Sequence, residues 1–261
     1  MNVRAKKHLG QHFLTDLNIA KKIADSLSLQ GYGQILEVGP GTGVLTKFLM
    51  EKAEQNLFLA EIDQESIDYL LKNFEEIGSS SFLGDFLKTD FEFAEGKQLA
   101  VIGNFPYNIS SQILFKIVDY HFLIPEMAGM FQKEVAERTA AKPRTKEYGI
   151  LSVLVQAYYD VEYLFTVHEN VFNPPPKVKS GVIRMLRNLK PGLEGNETLF
   201  KQIVKAGFNQ RRKKLSNALK VLGIPEHLQS HEFLDRRAEE LSVDDFISFA
   251  QLWVHNKTAK I

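Results

Sequence analysis

At 261 residues and 44% hydrophobic composition, the chain can bury a large core and build one big domain beside a smaller one. It has no cysteine, which excludes disulfides and thiolate metal sites, and no apolar run approaches the length needed to span a bilayer. Its 32 basic and 32 acidic side chains cancel, so the total charge points to no polyanion partner. The distribution says more: residues 51–95 hold twelve acidic and three basic side chains, while residues 201–220 hold seven basic and none acidic. A neutral chain with one basic stretch can still bind nucleic acid through it, because the field is local. The stretch "MNVRAKKHLGQHFL" is basic but lacks an apolar secretion core, so a cytoplasmic protein with no membrane association is expected.

In chain order, "QILEV" at 34–38 reads as a short buried strand, "GPGTG" at 39–43 as a glycine turn and "VLTKFLMEKA" as the helix behind it. Strand, glycine turn and helix open a parallel α/β unit. A second strand, "NLFLAEID", carries Glu61 at its end, and the helix "QESIDYLLKNF" follows. A third strand, "SSFLGDFL", holds Asp85, and a fourth, "LAVIG", leads directly into "NFPYNIS". Next come the helix "SSQILFKIVDYH", the strand "EMAGMFQ" and a helix from Lys133. The runs "YYDVEYLFTVH" and "SGVIRML", joined through "ENVFNPPPKVK", read as an antiparallel pair added to the parallel sheet. The polar, Pro- and Gly-rich "RNLKPGLEGNET" reads as a linker, and only helical periodicity follows it. The pattern predicts an α/β domain over residues 1–187 and a helical domain over 188–261.

Gly39, Gly41 and Gly43 can take backbone angles closed to other residues and let a ligand approach the main chain closely. A dinucleotide fingerprint needs G-x-G-x-x-G, so that a pyrophosphate rests on the helix end. Here the spacing is G-P-G-T-G, preceded by Glu37, which suits a ligand without phosphates such as the methionine part of S-adenosylmethionine. Glu61 can accept both hydroxyls of a ribose, and Asp85 can accept from the adenine amine of the same cofactor. By itself the turn reads equally well as a tight strand-to-helix connection. Three successive strand ends, each with a suitable group, point to a ligand, because ligands in such sheets bind at the carboxyl ends of the strands.

At the fourth strand end, "NFPY" offers a way to activate a planar amine. The lone pair of an adenine amine is delocalised into the ring, which makes the nitrogen a poor nucleophile. If the Asn104 side-chain oxygen and the Phe105 main-chain carbonyl take its two hydrogens, the nitrogen is drawn toward pyramidal geometry. Pro106 fixes the local backbone angle, and Tyr107 can lie flat on the base, a contact worth about 1–3 kcal/mol. Catalysis would then rest on positioning and electrostatics, without a base acting before attack. Away from this location the same four residues read as an X-Pro turn with a core Tyr.

The stretches "KKHLGQHFLTD", "EVGPGTGVLT", "EID" at 61–63, "GD" at 84–85, "GNFPYNIS", "FQKEVAER", "FNPPPKVKS" and "FNQRRKKLSNAL" cover nearly the whole chain. Together they resemble the ribosomal RNA adenine dimethylase family, and within it the housekeeping branch that dimethylates two adjacent adenines near the 3′ end of small-subunit (16S) ribosomal RNA. The resemblance implies a Rossmann-like, seven-stranded class I methyltransferase sheet with a small all-helical C-terminal domain. It implies S-adenosylmethionine bound by His12, Leu14, Gly39, Gly41, Glu61, Asp85 and Asn104, with no metal. The family often carries Asn where His12 stands, and Leu or Ile where Phe105 stands. The implied partner is 16S ribosomal RNA within the small subunit or its precursor, met by a monomer.

Beside this resemblance, Phe172 can form a second wall against the base opposite Tyr107, or be a core residue at a strand end. Phe131 can also border that pocket. In "FNQRRKKLSNALKVL" the helical reading puts Phe208, Leu215, Leu219 and Leu222 on one face, with Arg211, Arg212, Lys213 and Lys214 around its start as phosphate contacts. Lys6, Lys7, Lys142, Arg144 and Lys146 extend a basic rim. His227 and His231 have the i, i+4 spacing of a metal pair but no third ligand in sight. Three rival functions stay open: a large-subunit RNA methylase of the macrolide-resistance type, a DNA adenine methyltransferase, and a ribosome-assembly factor acting mainly by binding.

Overall fold

The computed structural model describes residues 3–53, 56–188, 193 and 195–254. The chain divides into two compact units, Met1–Glu137 with Asp160–Arg187 and Arg138–Tyr159 with Asn188–Ile261.

In the first unit, β1 (Phe13–Leu14) precedes α1 (Leu17–Ala24), whose N-cap Asp16 accepts from the Asn18 and Ile19 N–H groups. The α/β alternation then runs β2 (Gln34–Val38), α2 (Thr46–Ala53), β3 (Leu57–Ala60), α3 (Gln64–Asn73), β4 (Leu99–Asn104), α4 (Ser110–Asp119), β5 (Glu126–Gln132) and α5 (Lys133–Thr139). After α6 (Ile150–Gln156), which belongs to the second unit, come β6 (Tyr159–Val167), β7 (Phe172–Asn173) and β8 (Ser180–Arg187). The main sheet has the order β3-β2-β4-β5-β8-β6, with β3, β2, β4 and β5 parallel and β8 antiparallel to β5. Every residue of β2 is buried, as is all of β4 except Asn104. Continuous apolar burial is what a parallel sheet covered on both faces requires, and it explains why "QILEV" and "LAVI" do not alternate. The switch in strand order, β3-β2 to one side and β4 onward to the other, opens a crevice at the carboxyl ends of β2 and β4.

Two details of the sheets differ from the sequence-based expectation. Six strands pair in the main sheet, not seven. The expected third strand at 80–87 contributes one isolated parallel bridge, Leu59 to Phe82, because Gly84 turns to a positive φ of 67° and Asp85 closes a turn on the Leu87 N–H. A second, two-stranded sheet, β1 against β7, joins segments that no local pattern connects.

The second unit is built from α6, α7 (Glu197–Asn209), α8 (Leu215–Ala218), α9 (Val243–Val254) and short 3-10 turns. Phe200, Ile203 and Val204 of α7 and Phe246, Phe249 and Ala250 of α9 are fully buried, and the Tyr148 hydroxyl donates to the Leu241 carbonyl at 3.0 Å. Residues 138–159 fall inside the first domain expected from sequence, yet they pack with these helices. Of the linker stretch 187–198, residues 189–192 and 194 lie outside the described residues.

Candidate active site

The glycine turn leaves β2 with Gly39 and Gly41 at φ 70° and 54°, conformations that disfavour any side chain. A Cβ at Gly39 would stand 3.7 Å from Pro106 and 3.8 Å from the Asn104 carbonyl, filling the space between the glycine turn and the NFPY turn. Glu61 lies just past β3 and is 5% exposed. Its Oε2 accepts from the Gly41 N–H at 3.2 Å, and its Oε1 from the Ile62 and Asp63 N–H groups at 2.8 and 2.9 Å. Burial pushes this carboxyl above its ordinary pKa, and the three N–H groups oppose the shift. Asp85 holds its loop by accepting from the Leu87 N–H at 2.9 Å. The same loop is pinned from α4, where Lys116 donates to the Leu87 and Thr89 carbonyls.

A segment before β1 lies against this cleft as a strap. Asp63, 2% exposed, pairs with Lys6 and accepts from Gln11 Nε2 at 3.2 Å. Further on, the His12 carbonyl accepts from Asn104 Nδ2 at 2.9 Å. A carbonyl can only accept, so the Asn104 amide must present its nitrogen to His12 and keep Oδ1 free for a donor. The His12 ring donates from Nδ1 to the Pro174 carbonyl at 2.8 Å and stacks on Tyr107 with centroids 5.5 Å apart. Tyr107 is held at its other end by a hydrogen bond between its hydroxyl and Ser180 Oγ, and burial raises its pKa.

Below Asn104, the Phe105 ring is buried and stacks on Phe131 at 4.6 Å, so only its backbone serves the cleft. His12, Gly39, Gly41, Glu61 and Asp85 thus meet Asn104, Phe105, Pro106 and Tyr107 around one cleft. Leu14 is buried in β1 and lines a smaller adjoining cavity with Gly39, Asn104 and Glu37. Glu37 is 1% exposed, its Oε2 has no partner, and burial pushes its pKa up to about 8.

Other expected residues sit elsewhere. Phe172 is 4% exposed in β7, paired with Leu14 and packed in the core, and it lines neither this cleft nor the adjoining cavity, which favours its reading as a core residue over that of a wall opposite Tyr107. Phe131 is likewise core. The stretch "FNQRRKKLSNALKVL" is not one helix: α7 ends at Asn209, residues 210–214 turn, and α8 starts at Leu215. In that turn Arg211 binds Glu239 and the Thr145 and Lys146 carbonyls, and Lys214 pairs with Asp235 at 2.9 Å. Two of the four expected phosphate contacts are therefore tied within the second unit. Arg212 and Lys213 are exposed, with no ion-pair partner among the described residues. Lys142, Arg144 and Lys146 are exposed in the second unit, and Lys6 is neutralised by Asp63. His227 bonds the Leu252 carbonyl, and His231 caps the turn at Phe233.

Sequence reasoning missed Asp63, Gln11, Ser180 and Lys116. The "EID" triplet and the basic "KKHLGQHF" were both visible, but nothing local says that one grips the other.

Residues 2–254 match, as one stretch, the family described as ribosomal RNA adenine dimethylase. The chain belongs to that family. Ribosomal RNA small subunit methyltransferase A of Flavobacterium johnsoniae is 55% identical over 250 residues, 95% of each chain. Its namesake from Cytophaga hutchinsonii is 54% identical over 251 residues, 96% of this chain and 97% of that one. Among solved structures, a dimethyladenosine transferase from Plasmodium falciparum superposes with a TM-score of 0.80 at 26% identity, covering 94% of this chain and 98% of that one. The 23S rRNA methyltransferase ErmE superposes with a TM-score of 0.65 at 24% identity, a likeness of fold. As a ribosomal RNA adenine dimethylase the chain has the expected α/β methyltransferase fold, and the glycine turn, Glu61 and the NFPY turn line one cleft of it.

Proposed function

We propose that the chain transfers methyl groups from S-adenosylmethionine to the N6 amine of two adjacent adenines near the 3′ end of 16S ribosomal RNA, twice per base, late in small-subunit biogenesis. The small-subunit relatives at about 55% identity support this target over large-subunit RNA, since the likeness to ErmE extends to fold alone. The reading makes the protein a cytoplasmic monomer.

The residues present fit the cofactor. A side chain at Gly39 would fill the gap between the turns, and the Glu61 carboxylate is aimed by three N–H groups with lone pairs to spare for ribose hydroxyls. Bound there, S-adenosylmethionine supplies an electrophilic methyl group on a sulfonium that needs no activation to depart. The rest falls to the protein. Asn104 Oδ1 and the Phe105 carbonyl accept the two amine hydrogens, and Tyr107 stacks on the base while Ser180 fixes its ring. The orientation of the Asn104 amide by the His12 carbonyl is the observation that carries the reading. It turns an ambiguous side chain into an oriented acceptor, and preorganised polar groups of this kind are among the largest catalytic terms.

Radiolabelled methyl transfer tests it, with unmethylated small subunits as substrate and naked large-subunit RNA and duplex DNA as competitors. Label entering the small-subunit RNA as dimethyladenosine is expected. Label mainly in DNA or large-subunit RNA overturns the assignment.

A further inference from the structure

A second cleft, of about 670 Å³, opens beside the first and shares Gly10, Gln11, His12, Tyr107 and Asn108 with it. Its volume lies in the range of small-ligand sites, roughly 300–1,000 Å³. One wall is the strap, with Lys7 and Gln11; the other is the loop from Pro174 to Val178. The two walls are tied together by the His12 ring on the Pro174 carbonyl, and Tyr107 stands between this cleft and the inner one.

The lining contains no carboxylate. Lys7 and Lys177 have no ion-pair partner among the described residues, whereas the neighbouring Lys6 is held by Asp63 and Glu65. Gln132 and Asn108 add amides, and Pro175 and the 46%-exposed Val178 add an apolar shelf. Two unneutralised cations, hydrogen-bonding amides and an apolar shelf suit an anion joined to a planar ring.

We infer that this outer cleft is a subsite for the nucleotide covalently next to the target adenosine, with Lys7 and Lys177 on the linking phosphate and the base on the Pro175–Val178 shelf. The inference deepens the proposed function and rests on it. The base in the inner cleft is attached to a backbone that must leave past Tyr107, and the outer cleft shares that wall. With two adjacent targets, one base then occupies the outer cleft while its neighbour is modified.

Competition in the small-subunit methylation assay tests this, comparing the dinucleotide ApA with adenosine. ApA should compete about tenfold more tightly than adenosine, the gain expected when one charge-assisted phosphate contact is added. The variant Lys7→Gln/Lys177→Gln should abolish that difference and reduce the salt dependence of subunit binding by about one unit of slope per lysine. It should leave the Kd for S-adenosylhomocysteine, measured by calorimetry, within about twofold of the wild type, which also reports that the variant is folded. Lys97→Gln, a surface lysine paired with Glu95, should change none of these. Equal competition by ApA and adenosine, or an unchanged difference in the double variant, overturns the subsite while leaving methyl transfer intact. Failure of the wild type to bind S-adenosylhomocysteine or to label subunits overturns the parent reading and the subsite with it.

Discussion

The Asn104 amide lines the cleft, and the buried Glu37 carboxyl lines the smaller cavity beside it. In the proposed reaction Asn104 acts through one oxygen, left free because its amide nitrogen donates to the His12 carbonyl. Asn104→Ala should therefore lower kcat by about 10²–10³-fold, the effect typical of losing one preorganised polar group, while the S-adenosylhomocysteine Kd rises much less. Single-turnover kinetics with calorimetry check this, and wild-type turnover would remove the amide from the mechanism. Glu37 is buried with an unpartnered oxygen and a pKa pushed up to about 8 from 4.5. The folded state holds the proton that the unfolded state has already lost, so the contribution is full below about pH 4.5 and disappears as pH rises through 8. Wild-type stability should fall across that window by a few kcal/mol, and Glu37→Gln should flatten the curve, as read by urea denaturation at pH 5 and 8. At this scale the sequence was informative where a polar residue ended a strand, as at Glu61 and Asn104. It was silent at Phe172, because residue type alone cannot tell a wall from a core.

At the scale of elements, the strap and the loop at 83–90 show how irregular segments are held in register. The strap is anchored on Asp63 at one end and on Asn104 and β7 at the other. Asp63 also caps α3, accepting from the Glu65 N–H and from Ser66 Oγ. Lys6→Met removes only the cation, whose side chain is 30% exposed, and should loosen the strap without unfolding the unit. The expected result is a several-fold rise in S-adenosylhomocysteine Kd and recovery in Lys6→Arg. An unchanged Kd would show that the latch is decorative. The β2, β3, β4 and β5 strands were legible because buried parallel strands leave continuous apolar runs. The strand expected at 80–87 looked similar, but Gly84 and Asp85 turn the chain after a single bridge. The β1–β7 pair carried no local signal, since two-residue strands lie below any periodicity.

Across the whole molecule, charge segregation proved a partial guide. The basic run at 211–214 is half structural, because Arg211 and Lys214 are consumed by Glu239, Asp235 and two carbonyls. Arg211→Ala should therefore destabilise the second unit by about 1–2 kcal/mol, seen as a Tm lowered by several degrees. Arg212→Ala and Lys213→Ala should leave Tm unchanged and instead reduce the salt slope of RNA binding by about one each. A Tm loss in the second pair and none in the first would invert these assignments. The sequence showed that the run lacked acidic neighbours, but Glu239 and Asp235 approach it from beyond the next turn.

The strap has a further consequence for biosynthesis. Residues 12–15 fasten to residues 171–174 through contacts that span 156 to 162 positions of chain. Such distant pairing must wait until the later segment has emerged from the translating ribosome. A nascent chain ending near residue 160 can form β2 to β5 and carry Asn104, yet residues 13–15 then lack their partners at 171–173 and the His12 ring lacks the Pro174 carbonyl. Catalytic competence therefore arrives late in synthesis, with the passage of the proline loop.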